Sequence, residues 1–252
     1  ISNLNTWRSS VNVETGAALT CSGEVKIGDN ATSGAYSELN ANGGSLTLTN
    51  HLWINGGNNS TSVLNIAGGV VTATKYFSIG NGGAGTAWGF FNLSGGVLDT
   101  AGNVWIANAG STRGAATITG GVWTNRVDLE VAHGGSTIGW LNMSGGEIVM
   151  PVSGRNLIVA NSGNGHMTTG TVSITGGQLT ATNGIAVMIG NATNSLGQFY
   201  LGGSGVVLVR DFKMATYKAA RGEAVVTGGV LRAINYVSVG AAIGGDGYMR
   251  GE

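Results

Sequence analysis

The residues best suited to chemistry are one basic and two acidic side chains, Arg126, Asp128 and Glu130, which are separated by single apolar residues. Alternation places the three side chains on one side of a β-strand. Two carboxyl groups about 5 to 9.5 Å apart in a cleft can hydrolyse a glycosidic bond. With Trp105 on a neighbouring strand, these residues form an alternative prediction, a face that binds or cleaves a polysaccharide. Neighbouring repeats add no third acid, so we favour a solvated strand face with an internal ion pair.

The three histidines and the single cysteine are not expected to form a second chemical site. His51, His133 and His166 fall at three different positions of the repeat described below, so they cannot align as metal ligands. Cys21 has no aligned histidine that would activate it as a nucleophile. No catalytic residue, metal site or cofactor is therefore predicted.

A set of aromatic and apolar side chains is the second candidate site. Two adjacent outward rows are predicted, the first containing Trp53, Trp105, Ile158 and Met188 and the second containing His51, Tyr76 and Tyr236. An exposed apolar stripe on a soluble protein usually marks a contact surface. A protein interface is the favoured interpretation, and a flat platform for sugars stays open as the other.

Glycine pairs reveal the elements that must position these residues. The pairs recur every 25 to 31 residues, beginning at Gly43, Gly68, Gly95, Gly120, Gly145, Gly176, Gly202 and Gly228, with a degenerate copy at Gly16. A fixed period of this length is the signature of a repeat architecture. Nine units fill residues 1–252 without a break in composition, so one continuous array is predicted, as a segment or subunit of a longer rod or filament.

Each unit contains three short patches in which apolar and polar residues alternate, as expected of strands with one buried face. In the third patch all nine units have an apolar residue at one position, namely Val25, Leu52, Phe77, Val104, Leu129, Leu157, Val187, Phe212 and Val237. One unit alone buries too little surface to be stable, whereas stacked units bury a continuous core. We therefore predict an all-β, single-domain parallel β-solenoid of about nine coils with three short strands per coil. The coil is expected to be right-handed, as parallel crossovers are.

Glycine and asparagine are expected to shape the corners of each coil. Glycine adopts positive φ angles without steric cost, which explains the pairs. A second glycine ladder lies six residues before most of the pairs, at Gly89, Gly114, Gly139, Gly170 and Gly222, and Gly197 is displaced by one residue from this spacing. The residue after the third strand repeats as Asp29, Asn81, Asn108, His133, Asn161 and Asn191, and these side chains are expected to hydrogen-bond up and down the stack.

Composition excludes several classes of protein. Twelve basic residues balance twelve acidic ones, so the sequence lacks the positive charge expected of a nucleic-acid binder. One cysteine cannot form a disulfide scaffold. No apolar run approaches the roughly 20 residues of a membrane-spanning helix.

Units such as residues 63–73 followed by residues 78–83 resemble the β-strand repeats of large bacterial surface and secreted proteins, including autotransporter passenger-like adhesins. The resemblance covers the whole chain and implies a β-helix outside the cell or on its surface. It transfers no catalytic residue.

The favoured function is that of a noncatalytic extracellular structural protein, such as a filament subunit, surface rod or adhesin stalk. Because no polar cap is legible at either end, the expected partner is the protein itself, stacked head to tail and also packed laterally through the aromatic rows. Surface glycans are a further expected partner, and neither nucleic acid nor a membrane span is expected.

Overall fold

A computed structural model describes residues 8–28, 35–54, 60–82, 87–162 and 166–251, and all regular structure in them is β-strand. In chain order the strands are β1 (Arg8–Glu14), β2 (Ala18–Cys21), β3 (Val25–Ile27), β4 (Tyr36–Leu48), β5 (Leu52–Ile54), β6 (Thr61–Ala73), β7 (Phe77–Asn81), β8 (Trp88–Leu93), β9 (Val97–Thr100), β10 (Val104–Asn108), β11 (Arg113–Ile118), β12 (Val122–Asn125), β13 (Leu129–His133), β14 (Ile138–Val149), β15 (Leu157–Asn161), β16 (Thr168–Ile189), β17 (Ser195–Leu201), β18 (Val206–Met214), β19 (Arg221–Val226), β20 (Val230–Val239) and β21 (Asp246–Gly251). A search of the described residues finds no helix that could cross a membrane.

The strands stack as a parallel β-solenoid of about nine turns, which confirms the predicted fold class. Face A is formed by the first strand of each coil, in the order β1, β4, β6, β8, β11, β14, β16, β17, β19 and β21. Face B is formed by β2, β4, β6, β9, β12, β14, β16, β18 and β20. Face C is formed by β3, β5, β7, β10, β13, β15, β16, β18 and β20. Strands such as β4 and β16 continue around a corner and therefore serve two or three faces. Right-handed winding stays a prediction.

The interior is a set of apolar ladders. Seven of the nine third-patch residues predicted inside are fully buried, from Leu52 to Phe212. Val25 is half-buried and Val237 is 48% exposed, because they belong to the first and last coils. Phe77, Phe91 and Trp123 pack edge to face at the centre, with ring centroids 5.4 to 6.3 Å apart. Such aromatic contacts stabilise the core beyond their buried area.

The glycine pairs turn the corner between faces A and B, as predicted. The second glycine has a φ of 71° to 76° in most pairs, such as Gly96 and Gly146. The corner after face C also requires positive φ angles, but several coils place alanine there, with φ of 63° at Ala107 and 64° at Ala132. Both methyl groups are fully buried. Burial of a methyl group therefore offsets part of the cost of the left-handed backbone.

The second glycine ladder requires glycine for a different reason, namely close approach of two backbones. Gly139 does not have a positive φ; instead, a Cβ atom there would lie 2.6 Å from Ala132 N and Ile106 O. The ladder thus lets face A strands approach the backbone of the corner that follows face C. Gly197 is displaced by one residue relative to its glycine pair, yet within the ladder it pairs in register with Gly170 and Gly222. The following turn, residues 202–205, is one residue longer than its counterpart at residues 94–96, and the glycine pair within it is what shifts.

Candidate functional site

The outer surface of face C holds the predicted aromatic row. Trp53 and Trp105 lie two strands apart on either side of Ser78, and the row continues through Glu130, Ile158 and Met188. The predicted register is therefore confirmed. Ile158 is only 8% exposed, so this position does not offer the contact surface that the sequence suggested.

The rings of face C contact one another. His51 stacks on Tyr76 with centroids 4.7 Å apart and planes 16° apart, and it also contacts Trp53 at 5.4 Å. Tyr76 contacts Trp105 at 4.9 Å, and Trp105 stacks on His133 at 5.4 Å. These five residues, Trp53, His51, Tyr76, Trp105 and His133, are called the face C stack.

Glu130 anchors one end of this stack. Its carboxylate accepts a hydrogen bond from Trp105 Nε1 at 3.2 Å and another from Asn161 Nδ2 at 2.5 Å. The Nε2 atom of His133 lies 3.9 Å away. Glu130 is only 7% exposed, so the predicted solvated face is wrong at this position. A carboxylate held by two donors in a buried site acts as a structural acceptor.

The predicted ion pair within the Arg126, Asp128 and Glu130 group is also wrong. Arg126 instead bonds Asp99 on the adjacent coil, with Nε and Nη2 each 2.9 Å from a carboxylate oxygen. These hydrogen bonds raise the pKa of Arg126. Asp128 accepts a hydrogen bond from the backbone N–H of Asn156 at 2.7 Å and lies 3.9 Å from Arg155 Nη1. All three side chains thus have partners within the protein.

The remaining members of the predicted interaction face lie elsewhere on face C. Tyr236, on the last coil, is 44% exposed, and Lys213 Nζ lies 5.2 Å from its ring centroid. Met188 is half-buried and lines a shallow depression with Lys213 and Tyr236. Glu130, Asp128 and Asn156 separate this group from the face C stack. The predicted stripe is therefore two patches.

The histidines and the cysteine form no metal centre in the part of the chain that is described. No group of three or more His, Cys, Asp or Glu side chains that could hold an ion occurs among those residues. His133 and His166 line one open depression of about 530 Å³, without a third ligand. Cys21 is half-buried, and its thiol lies 3.6 Å from the carbonyl oxygen of Gly23.

Two ladders of polar side chains run along the solenoid. At the corner after face C, Asn108 donates to Asn81 at 3.0 Å and Asn191 donates to Asn161 at 3.3 Å, while His133 Nδ1 lies 2.7 Å from Asn108 Oδ1. The predicted corner ladder is therefore confirmed in two segments, between which Asn161 donates to Glu130 instead of hydrogen-bonding to His133; its member Asp29 lies outside the described residues. A second ladder joins Asn12, Asn40, Asn65 and Asn92 on face A, with N to O distances of 2.7 to 2.8 Å.

Near the start of face A, polar contacts shift two ionisable groups. Asn40 donates to Glu38, and this hydrogen bond is the main reason that the pKa of Glu38 is lowered. Burial is the main cause that raises the pKa of Tyr36, whose hydroxyl also donates to Glu38 at 3.2 Å.

A second aromatic group, on face A, was missed at the sequence level. Trp88 is parallel to Phe90 within 5° and to Trp140 within 2°, at centroid distances of 5.6 and 5.9 Å. The guanidinium carbon of Arg113 lies 4.9 Å from the Trp88 centroid. These four residues are called the face A cluster, and all are half-buried. Their signal was present, since Phe90 and Trp140 each lie five residues before a glycine pair.

Comparison of the chain with models of protein families, with curated proteins and with solved structures finds no match.

Proposed function

We propose that this protein is a noncatalytic structural rod that acts outside the cell or on its surface, as a filament subunit, surface rod or adhesin stalk. The observation that carries the proposal is the in-register parallel pairing of successive coils on all three faces. Backbone hydrogen bonds parallel to the rod axis make such a body stiff along its length. Nine coils at about 4.8 Å each give a rod of about 43 Å.

The side-chain chemistry supports a mechanical role over catalysis. The two carboxylates of the alternative polysaccharide site, Asp128 and Glu130, hold backbone and side-chain donors from neighbouring coils. Arg126 is occupied by Asp99. Groups that cross-link adjacent coils in this way stabilise the rod, and a reaction at this face would have to break those links.

The proposed self-association uses the last and first coils. Val237 and Val239 occupy interior positions of face C on the last coil, yet they are 48% and 46% exposed. On the first coil, Val11 and Leu19 line an apolar depression of about 290 Å³. Apolar surface of this kind is buried when another coil stacks on it. We propose that a further coil covers it, from a second copy stacked head to tail or from a continuation of the same rod, and lateral packing through the face C stack is the accompanying proposal.

An exported location agrees with the composition. Only 10% of the residues are charged, and one cysteine leaves nothing to pair as a disulfide within the chain. A chain of this kind can fold coil by coil through local stacking without oxidative assistance. The resemblance to bacterial surface repeats supports the same location.

The test combines sedimentation velocity with electron microscopy over a range of protein concentrations. We expect concentration-dependent assembly into rods with an axial repeat near about 43 Å or a multiple of it. Val237→Lys should block this assembly, whereas Val230→Lys, at an outward position with 52% exposure, should not. A monodisperse 25.3 kDa monomer at high concentration contradicts the self-association. Release of reducing or unsaturated sugars from a glycan panel contradicts the noncatalytic assignment.

A further inference from the structure

The face A cluster has a spacing that the rod architecture imposes. Phe90, Ala115 and Trp140 occupy the same position on three successive strands, β8, β11 and β14. The two aromatic residues are therefore two strand spacings apart, about 9.6 Å. Alanine lies between them, and the ring of Trp88, from the next outward position, lies 5.6 Å from that of Phe90 and 5.9 Å from that of Trp140 with its plane parallel to both, so the three rings share one orientation.

This spacing resembles the repeat of one class of polymer. In an extended β-1,4-linked glycan each pyranose ring is rotated by half a turn relative to the previous one, so the same apolar C–H face recurs every second sugar. One sugar is comparable in length to one coil of the solenoid, about 4.8 Å. A glycan that lies along the rod axis would thus present equivalent C–H faces at the spacing of Phe90 and Trp140.

The polar groups beside the rings suit sugar hydroxyls. Asn92 and Asn142 lie on the same strands as Phe90 and Trp140, two residues further along and also outward. Asn142 is exposed, and its amide has no hydrogen-bond partner among the described residues. An amide supplies both donors and an acceptor, as vicinal hydroxyls require.

The charge of this surface points to a neutral ligand. Arg113 is the one charged side chain in β8, β11 and the face A half of β14, and its guanidinium rests on the ring of Trp88. A single cation attracts a polyanion only weakly. Because these strand segments carry no carboxylate, they do not attract a cationic ligand either.

We propose that the face A cluster, with Asn92 and Asn142, is a binding site for a neutral β-1,4-linked glycan that lies along the rod axis. Phe90, Trp88 and Trp140 contact the C–H faces of alternate sugars, while the two amides and Arg113 hydrogen-bond to hydroxyl groups. The site is distinct from the face C residues considered for polysaccharide binding above. It does not depend on self-assembly of the rod.

The test is calorimetric titration of the full chain with cellohexaose and chitohexaose, with laminarihexaose as a β-1,3-linked comparison. We expect binding of at least one β-1,4-linked hexasaccharide and at least tenfold weaker binding of laminarihexaose. Trp140→Ala should weaken binding at least tenfold. Asn142→Ala, at an exposed position whose amide makes no hydrogen bond to the described residues, should weaken binding severalfold, and it serves as a second variant in case Trp140→Ala has a folding defect.

Trp53→Ala on face C is the matched control and should leave glycan binding unchanged. The proposal is overturned if neither β-1,4-linked hexasaccharide binds, or if Trp140→Ala and Asn142→Ala both bind as the unaltered protein does. It is equally overturned if Trp140→Ala abolishes association between copies in sedimentation velocity and leaves glycan binding intact, since face A would then be a protein interface.

Discussion

Faces A and C of the solenoid both carry aromatic rings on their outer surfaces, but they hold them in different ways. On face C, rings from successive coils stack on one another, and the indole N–H of Trp105 is bound by the buried carboxylate of Glu130. On face A, the rings of Phe90 and Trp140 lie nearly parallel to that of Trp88, and the indole N–H of Trp140 has no hydrogen-bond partner among the described residues. Ring contacts join coils on both faces, but the indole N–H of Trp105 is held by a carboxylate, whereas that of Trp140 is left for the proposed ligand.

This difference shows why aromatic content alone does not identify a binding surface. Both groups lie at outward positions, and all of their rings except that of Tyr76, which is 42% exposed, are half-buried. Ring planes on face C differ by 16° to 44°, so they share no common orientation, whereas those on face A agree within 5°. A flat ligand can contact rings of one orientation in the same way at successive positions.

The largest expected effect on unfolding free energy comes from Gly139, where a face A strand packs against the corner that follows face C. Gly139 lies on β14 beside Trp140 and packs against the corner residue Ala132 that follows face C. Gly139→Ala should lower the free energy of unfolding by about 4 kcal/mol or prevent folding, because a close-packed backbone contact cannot accept the methyl group. Urea denaturation measures the change.

The matched control is Gly23→Ala, where an added Cβ atom would have no neighbour within 4 Å and φ is not positive. This variant should change the free energy of unfolding by less than about 0.5 kcal/mol. Equal stability of Gly139→Ala and Gly23→Ala would contradict the proposed contact between the faces.

Removal of one polar side chain from each face should give the next largest difference. Glu130→Ala leaves the N–H groups of Trp105 and Asn161 without their acceptor, and we expect a loss of about 2 to 4 kcal/mol of unfolding free energy. Asn142→Ala on face A should have an effect within about 0.5 kcal/mol. A larger loss of unfolding free energy in Asn142→Ala than in Glu130→Ala would contradict the structural role of face C.

Double-mutant cycles should reveal a smaller difference in coupling between rings. For Tyr76 and Trp105, whose centroids are 4.9 Å apart, we expect a coupling of about 1 kcal/mol in unfolding free energy. For Phe90 and Trp140, which contact each other only through the ring of Trp88, the coupling should be smaller, below about 0.5 kcal/mol. Truncation of each residue to alanine, singly and together, supplies the measurement. Similar coupling in both pairs would show that face A rings also serve mainly to join coils.

The smallest expected effect is a dependence of thermal stability on pH that Glu38, on face A, causes. The pKa of Glu38 is lowered, chiefly by the hydrogen bond from Asn40, so the charged form stabilises the folded state above the ordinary pKa of 4.5. That contribution is lost as the pH falls through the lowered pKa. The difference in Tm between the protein and its Glu38→Gln variant should therefore be constant near neutral pH and shrink below about pH 4.5. A Tm difference that grows as the pH falls would contradict a lowered pKa of Glu38 in the folded protein.

The period of the glycine pairs predicted the fold, because apolar residues such as Leu52 and Phe77 recur at one position and stacking is the arrangement that buries them all. It also predicted the neighbours of Trp105 and Glu130. The contact of Arg126 with Asp99 could not be predicted from the repeat. The long arginine side chain can reach an acid on its own strand or one on the adjacent coil, and strand register does not decide between them. The burial of Glu130 depends on the rotamers of side chains 25 and 31 residues away. The face A cluster could have been found from register alone, whereas the common orientation of its rings could not.

Hydrogen exchange of the tryptophan indole N–H groups, followed by NMR, tests the contrast between the two faces most directly. The indole of Trp105 is hydrogen-bonded to a buried carboxylate, and that of Trp140 is unbonded within the described structure. We predict that Trp105 exchanges at least about tenfold more slowly than Trp140. Equal exchange rates, or faster exchange at Trp105, would contradict the assignment of face C to structure and face A to binding.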